Sequence, residues 1–180
     1  MSSIIKVDQI QLSDGSTPTA GDLGLSGSVV QTQSNTYKTR ISVASQTWTA
    51  TGYTVTLTPS STTSKVLVSF YMGCAGNSTD AGGVLFTIRR NGTEISEIMG
   101  TTDGNRVPCT IGTRTSSQYN FEPLAFQFVD EPTTTAPVSY ELYWRIPTYG
   151  TAYTNTRGGY LDSTETPRSV TTLIAQEIAG

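Results

Sequence analysis

Val84-Leu85-Phe86-Thr87-Ile88-Arg89-Arg90-Asn91-Gly92-Thr93-Glu94-Ile95-Ser96-Glu97-Ile98 is the stretch on which the fold turns. Two β-prone runs are separated by Asn91-Gly92 alone. Asn and Gly both tolerate the positive φ that a tight two-residue turn demands, so the stretch predicts an antiparallel hairpin of strands at 84–90 and 93–98. Working outward, Tyr53-Thr54-Val55-Thr56-Leu57-Thr58-Pro59 alternates apolar and polar residues, with Tyr53, Val55 and Leu57 on one face. Ser60-Ser61-Thr62-Thr63-Ser64 connects it to Lys65-Val66-Leu67-Val68-Ser69-Phe70-Tyr71-Met72, which is nearly continuous apolar sequence. That texture predicts a strand covered on both faces.

Further strands are expected at 28–33, 118–129, 138–146 and 169–178. Ile41-Ser42-Val43 and Trp48 are expected to close a first hairpin over the core. Tyr140, Leu142 and Trp144 share one face of their strand and read as core. The final run ends two residues before Gly180, as a central strand tied into a sheet would. Residues 147–168, rich in Tyr, Gly and Thr, read as loop, and no amphipathic helix is expected. Short β-runs between turn signals predict an all-β sandwich, jelly roll or barrel over residues 28–180.

Residues 1–27 differ in texture. A short apolar-polar run carrying Ile4, Ile5, Val7, Ile10 and Leu12 leads into Ser13-Asp14-Gly15-Ser16-Thr17-Pro18 and a Gly-rich segment. One short strand has nothing of its own to bury against. Residues 1–27 are therefore read as an extended N-terminal arm that pairs with something else, by strand addition or by intertwining with sister chains.

Composition narrows the function. The 180 residues contain no histidine, the usual general base near neutral pH and the commonest metal ligand. Neither cofactor nor metal is expected, and the chain reads as a structural or binding module, not an enzyme. Apolar residues make up 36%, a low share that favours burial against identical copies. The net charge of −3 and the absence of a long basic run argue against nucleic acid as a partner. No segment approaches the roughly 20 apolar residues of a membrane span, so no membrane insertion is expected. The N-terminus has no secretory h-region, which predicts synthesis in a cytoplasm. Cys74 and Cys109, far apart in sequence, read as free thiols, with a disulfide as the alternative.

The candidate chemistry is thin. Two carboxylates suffice for glycoside hydrolysis, and the pairs are Glu94 with Glu97, Asp130 with Glu131, and Asp162 with Glu165. The odd spacing of the first sends its members to opposite strand faces. The other two lie in Pro/Thr-rich loops, and all read as solvated charge. Asp103-Gly104-Asn105 reads as a turn and not as a calcium loop. Asn77-Ser78-Thr79 and Asn91-Gly92-Thr93 match the glycosylation sequon but carry no weight without a leader. Tyr149, Tyr153 and Tyr160, among Gly, Thr, Asn155 and Arg157, form the candidate contact surface for a carbohydrate or a protein. The candidate ligand residues are Tyr149, Tyr153, Arg157 and Tyr160.

The two ends of the chain carry a resemblance. Ile5-Lys6-Val7-Asp8-Gln9-Ile10 with Asp14-Gly15-Ser16-Thr17-Pro18 resembles the N-terminal segment of fibre-like virion proteins of tailed phages, especially those of marine and cyanobacterial hosts. The body resembles their C-terminal knob through Val55-Thr56-Leu57-Thr58-Pro59-Ser60-Ser61, Lys65-Val66-Leu67-Val68, Ile88-Arg89-Arg90-Asn91-Gly92-Thr93 and Thr171-Thr172-Leu173-Ile174-Ala175-Gln176-Glu177-Ile178. The resemblance implies a jelly-roll knob similar to the C1q and tumour-necrosis-factor architecture, assembled as a homotrimer. It also implies attachment of the N-terminal arm to a phage capsid or tail protein, a place on the virion surface and no catalytic residues. Tail fibres usually carry long shafts, and this chain has almost none, so a short head fibre or a capsid or tail decoration fits as well as a host-binding tail fibre. The alternative is a carbohydrate-binding, lectin-like module not fixed to a virion.

Overall fold

A computed structural model of the chain describes residues 11–18, 23–24, 26–159 and 162–180. Its strands in chain order are β1 (Val29–Tyr37), β2 (Ser42–Val43), β3 (Thr49–Leu57), β4 (Lys65–Asn77), β5 (Gly83–Arg90), β6 (Thr93–Glu94), β7 (Ile111–Arg114), β8 (Glu122–Asp130), β9 (Val138–Arg145), β10 (Ala152–Thr154) and β11 (Thr171–Ile178). The first sheet runs β1-β11-β4-β10-β2, with β8 on the other edge of β4. The second runs β3-β9-β5-β6, with β7 also paired to β5. Two facing antiparallel sheets make the expected jelly-roll β-sandwich.

The core forms because the inward positions of both sheets are apolar. Val66, Val68, Phe70 and Met72 of β4 face Val84, Phe86 and Ile88 of β5 and Tyr140, Leu142 and Trp144 of β9, all of them buried. Phe86 stands 6.1 Å from both Phe70 and Trp144, ring centroid to ring centroid, and so joins the two sheets. Each such side chain contributes about 1.5–3 kcal/mol on burial. The predicted hairpin turn is present, with positive φ at Asn91 (49°) and Gly92 (79°). β11 lies between β1 and β4, as a central strand should.

Four expectations are corrected. The run 93–98 is a two-residue strand followed by one 3-10 turn, Ser96–Ile98, so Glu94 and Glu97 do not share a strand. Ser42–Val43 pairs with β10 instead of closing a first hairpin, and Trp48 is only half-buried. Over Lys65–Gly73 β4 alternates between buried and open positions, so in the single chain the apolar run is covered on one face, and only the end at Cys74–Asn77 is buried throughout. Asp130 is not solvated: it is 6% exposed, accepts from Arg90 Nη1 through both oxygens at 2.9 and 3.0 Å, and accepts the Tyr140 hydroxyl at 2.7 Å.

The open face of the first sheet has a definite composition. Across it, Thr32, Gln176, Leu67 and Val129 fall in one row, then Ser34, Ile174, Ser69 and Gln127, then Thr36, Thr172, Tyr71 and Ala125. None of the twelve is charged. Tyr71 is 49% exposed and Val129 52%.

Of the arm residues, Ile4, Ile5, Val7 and Ile10 lie outside the described residues. Leu12 opens a turn: its N–H donates to Ser16 O at 2.8 Å, and Gly15 N–H donates back to Leu12 O at 2.9 Å. The chain joins the knob at Gly27 and Ser28, which exchange backbone hydrogen bonds with Ala179.

Candidate functional site

The second sheet carries a cleft on its outward face, and glycines shape it. Gly83 pairs with Arg114 and Leu85 with Gly112 across the β5–β7 ladder. A Cβ on Gly112 would stand 2.6 Å from Leu85 Cδ2, and one on Gly83 would stand 3.0 Å from Pro147 Cγ. Without those side chains a concavity of about 630 Å³ opens, floored by Leu85, Gly112 and Pro147 and bordered by Cys109, Thr113, Arg114 and Tyr149.

Tyr149 is 51% exposed on the turn between β9 and β10. Its backbone is nonetheless held from three sides. Gln46 Nε2 donates to Thr148 O, and Asn77 Nδ2 reaches Tyr149 O at 3.4 Å. Gly150 has φ 91°, and a Cβ there would collide with Asn77 Oδ1. An exposed aromatic on a fixed backbone presents apolar area at little ordering cost.

Arg114 is also fixed. Its Nε donates to Ala81 O at 2.9 Å, and Ala81 itself has φ 56°, a strained value for a residue with a Cβ. Arg145 stands opposite Leu85 on the same face of the sheet. Among the described residues, neither arginine forms an ion pair with a carboxylate. Of these two, Arg114 lines the cleft and places a positive charge there in a chain of net charge −3. Cys109 on its border is partly buried, and burial pushes its thiol up from the ordinary cysteine value.

The four candidate contact residues do not converge. Tyr149 lines the cleft. Tyr153 lies in β10, paired to Ser42 and Gly76, with the Arg40 guanidinium 5.5 Å from its ring centre. Arg157 is 7% exposed; its Nε donates to Gly159 O at 3.1 Å, and its guanidinium lies 5.6 Å from the Tyr119 ring centre. It borders a separate depression with Tyr119, Ser163 and Glu165. Tyr160 lies outside the described residues. Asn155, counted with them as loop, is a buried tie: its Nδ2 donates to Tyr37 O and Thr39 O at 3.0 and 3.1 Å, and its Oδ1 accepts from Thr171 at 2.8 Å. Arg114 is not among the sequence candidates because the short strand β7 that places it has no apolar run to announce it.

The remaining polar groups serve the architecture. Asn77, of the first sequon, is 1% exposed; its Nδ2 donates to Gly83 O at 2.9 Å and its Oδ1 accepts from Thr79 N–H and hydroxyl. Among the described residues there is no group of three or more His, Cys, Asp or Glu able to hold a metal, and no helix long and apolar enough to cross a membrane. Asp103 and Arg106 close a short turn over Gly104.

No family model and no curated protein matches the chain. Among solved structures it is similar to the VP2 subviral particle protein of infectious bursal disease virus, at 14% identity and a TM-score of 0.37. That match takes in 97% of this chain, which spans 42% of the VP2 chain.

Proposed function

We propose that this chain is a structural, non-catalytic protein of a phage virion. In this reading it is a short trimeric fibre, or a capsid or tail decoration, anchored by residues 1–27 and exposing the β-knob for host adsorption or particle stabilisation. It is made in the host cytoplasm and ends on the virion surface. The observation that carries the reading is the open face of the first sheet. Leu67, Tyr71, Val129 and Ile174 lie there among Thr, Ser and Gln with no charge between them. An uncharged, partly apolar face is poor solvent surface and good contact surface between copies. A homotrimer would cover it, in keeping with the run of knob-like motifs from Val55 to Ile178.

The carboxylates support the non-catalytic reading. Asp130 is committed to Arg90 and Tyr140, Glu131 to Lys65, and Glu177 to serine and glutamine donors. Light scattering of the purified chain tests the assembly: three copies are expected, with Tyr71→Glu shifting the population toward monomer. A monomeric wild-type chain would overturn it. Deletion of residues 1–27 should leave a soluble knob that no longer joins particles, and normal incorporation of that truncation would refute the anchor.

The cleft at Tyr149 favours a second reading, a lectin-like module that acts without a virion. Glycan binding by a chain that never enters particles would decide for it.

A further inference from the structure

We propose that the cleft on the outward face of the second sheet is a binding site for an acidic saccharide residue. The inference rests on the reading of the chain as an adhesive surface protein and names its ligand class. Two observations converge on it. Tyr149 offers an exposed ring on a turn fixed by Gln46, Asn77 and the φ of Gly150, which suits the apolar face of a pyranose. Arg114 spends its Nε on Ala81 and keeps its two terminal nitrogens for an acceptor; a guanidinium matches a carboxylate in a bidentate pair. Arg145, opposite Leu85 on the same face, stands beside the cleft and not in its lining; its Nε lies 3.5 Å from Ile146 O, and it has no carboxylate partner among the described residues.

The size and floor fit the same class. About 630 Å³ of open cleft admits one or two sugar rings. The floor of Leu85, Pro147 and Gly112 is apolar, so it offers nothing to a small, fully hydrated anion. An anion alone would meet Arg114 but leave Tyr149 unused, and a neutral sugar would meet Tyr149 but leave Arg114 unanswered. A pyranose bearing a carboxylate uses both.

Cys109 on the border supplies a built-in reporter, because Cys74 is 1% exposed and stays silent. The test uses the full chain and a panel of oligosaccharides ending in glucuronate, galacturonate or sialate, each beside its carboxyl-reduced counterpart, with acetate as the simple anion. At least one acidic member should bind and slow the alkylation of Cys109. Its reduced counterpart and the Arg114→Gln variant should each weaken binding by at least about tenfold, the worth of one charge-assisted pair. Tyr149→Ala should weaken binding while leaving thermal unfolding and copy number unchanged. The proposal is overturned if no acidic member protects Cys109, if the reduced sugars bind equally, or if acetate protects as well as the saccharides do. A chain that fails here yet still assembles into particles loses only the ligand, whereas failure to enter particles strikes at the virion role itself.

Discussion

Ser60 gives both its backbone N–H and its hydroxyl to Glu177 Oε1, at 2.7 and 2.6 Å, and so ties the β3–β4 loop to the closing strand. The Ser64 hydroxyl joins the same oxygen at 2.7 Å, and Gln31 Nε2 reaches Oε2 at 2.6 Å. Glu177 is completely buried, yet no cation faces it among these partners. The carboxylate is held by dipoles from two segments of the sandwich, the β3–β4 loop and β1.

That arrangement makes the fold acid-sensitive. Burial pushes the Glu177 carboxyl up, and the donors from Ser60, Gln31 and Ser64 together outweigh it and hold it below the usual glutamate value. A depressed folded value means that the stabilisation is fully present above the unfolded value, about 4.3, and is lost as pH falls through the folded one. Glu177→Gln should cost about 1–3 kcal/mol near neutrality. Urea unfolding of both proteins from pH 7 down to pH 3 should show the gap closing as Glu177 protonates. A gap that stays constant over that range contradicts the assignment.

Asp130, Arg90 and Tyr140 form the second polar tie, from β8 across to the hairpin strand and β9. Burial, then the bond to Asp130 and its charge, push the Tyr140 hydroxyl far above the usual tyrosine range. Tyr140→Phe removes one donor from a buried carboxylate and should cost about 1–3 kcal/mol in chemical denaturation. Because Arg90 is 37% exposed, water screens its share, and Arg90→Gln should cost less than Tyr140→Phe.

The two cysteines should separate by reactivity. Burial alone pushes Cys74 up to about 12, and the same cause raises Cys109 less. With a thiol reagent at pH 8, Cys109 should react slowly and Cys74 not at all until the chain unfolds. In urea without reductant both should react, since neither is paired. No reactive thiol in urea would reveal a disulfide between them.

Gly158 should be intolerant of any side chain. A Cβ there would stand 1.8 Å from Asn77 O, so Gly158→Ala must shift the backbone of β4 or of its own loop. A loss of about 1–3 kcal/mol or more is expected, measured as a lower melting temperature. Gly104→Ala is the control for space alone: its added Cβ meets nothing within 4 Å, and its cost reflects φ 58° alone.

Period-two alternation around Val55, Phe86 and Tyr140, the Asn91-Gly92 turn and the apolar run that closes the chain were enough to establish an all-β sandwich, its hairpin turn and its central last strand. Those properties are local, because alternation states which side of a strand is apolar and a turn pair states where the chain reverses. Tertiary structure alone decided which polar residues became architecture. Asp130, Asn155, Arg157 and Glu177 look like ordinary loop or surface residues until distant partners close around them. The same holds for the cleft, where Leu85 of β5, the 109–114 segment with Cys109, Gly112 and Arg114, and the Tyr149 turn come together. It likewise holds for β4, whose continuous apolar run met a core on one side and open sheet face on the other, since sequence records the apolarity of a residue and not what will cover it.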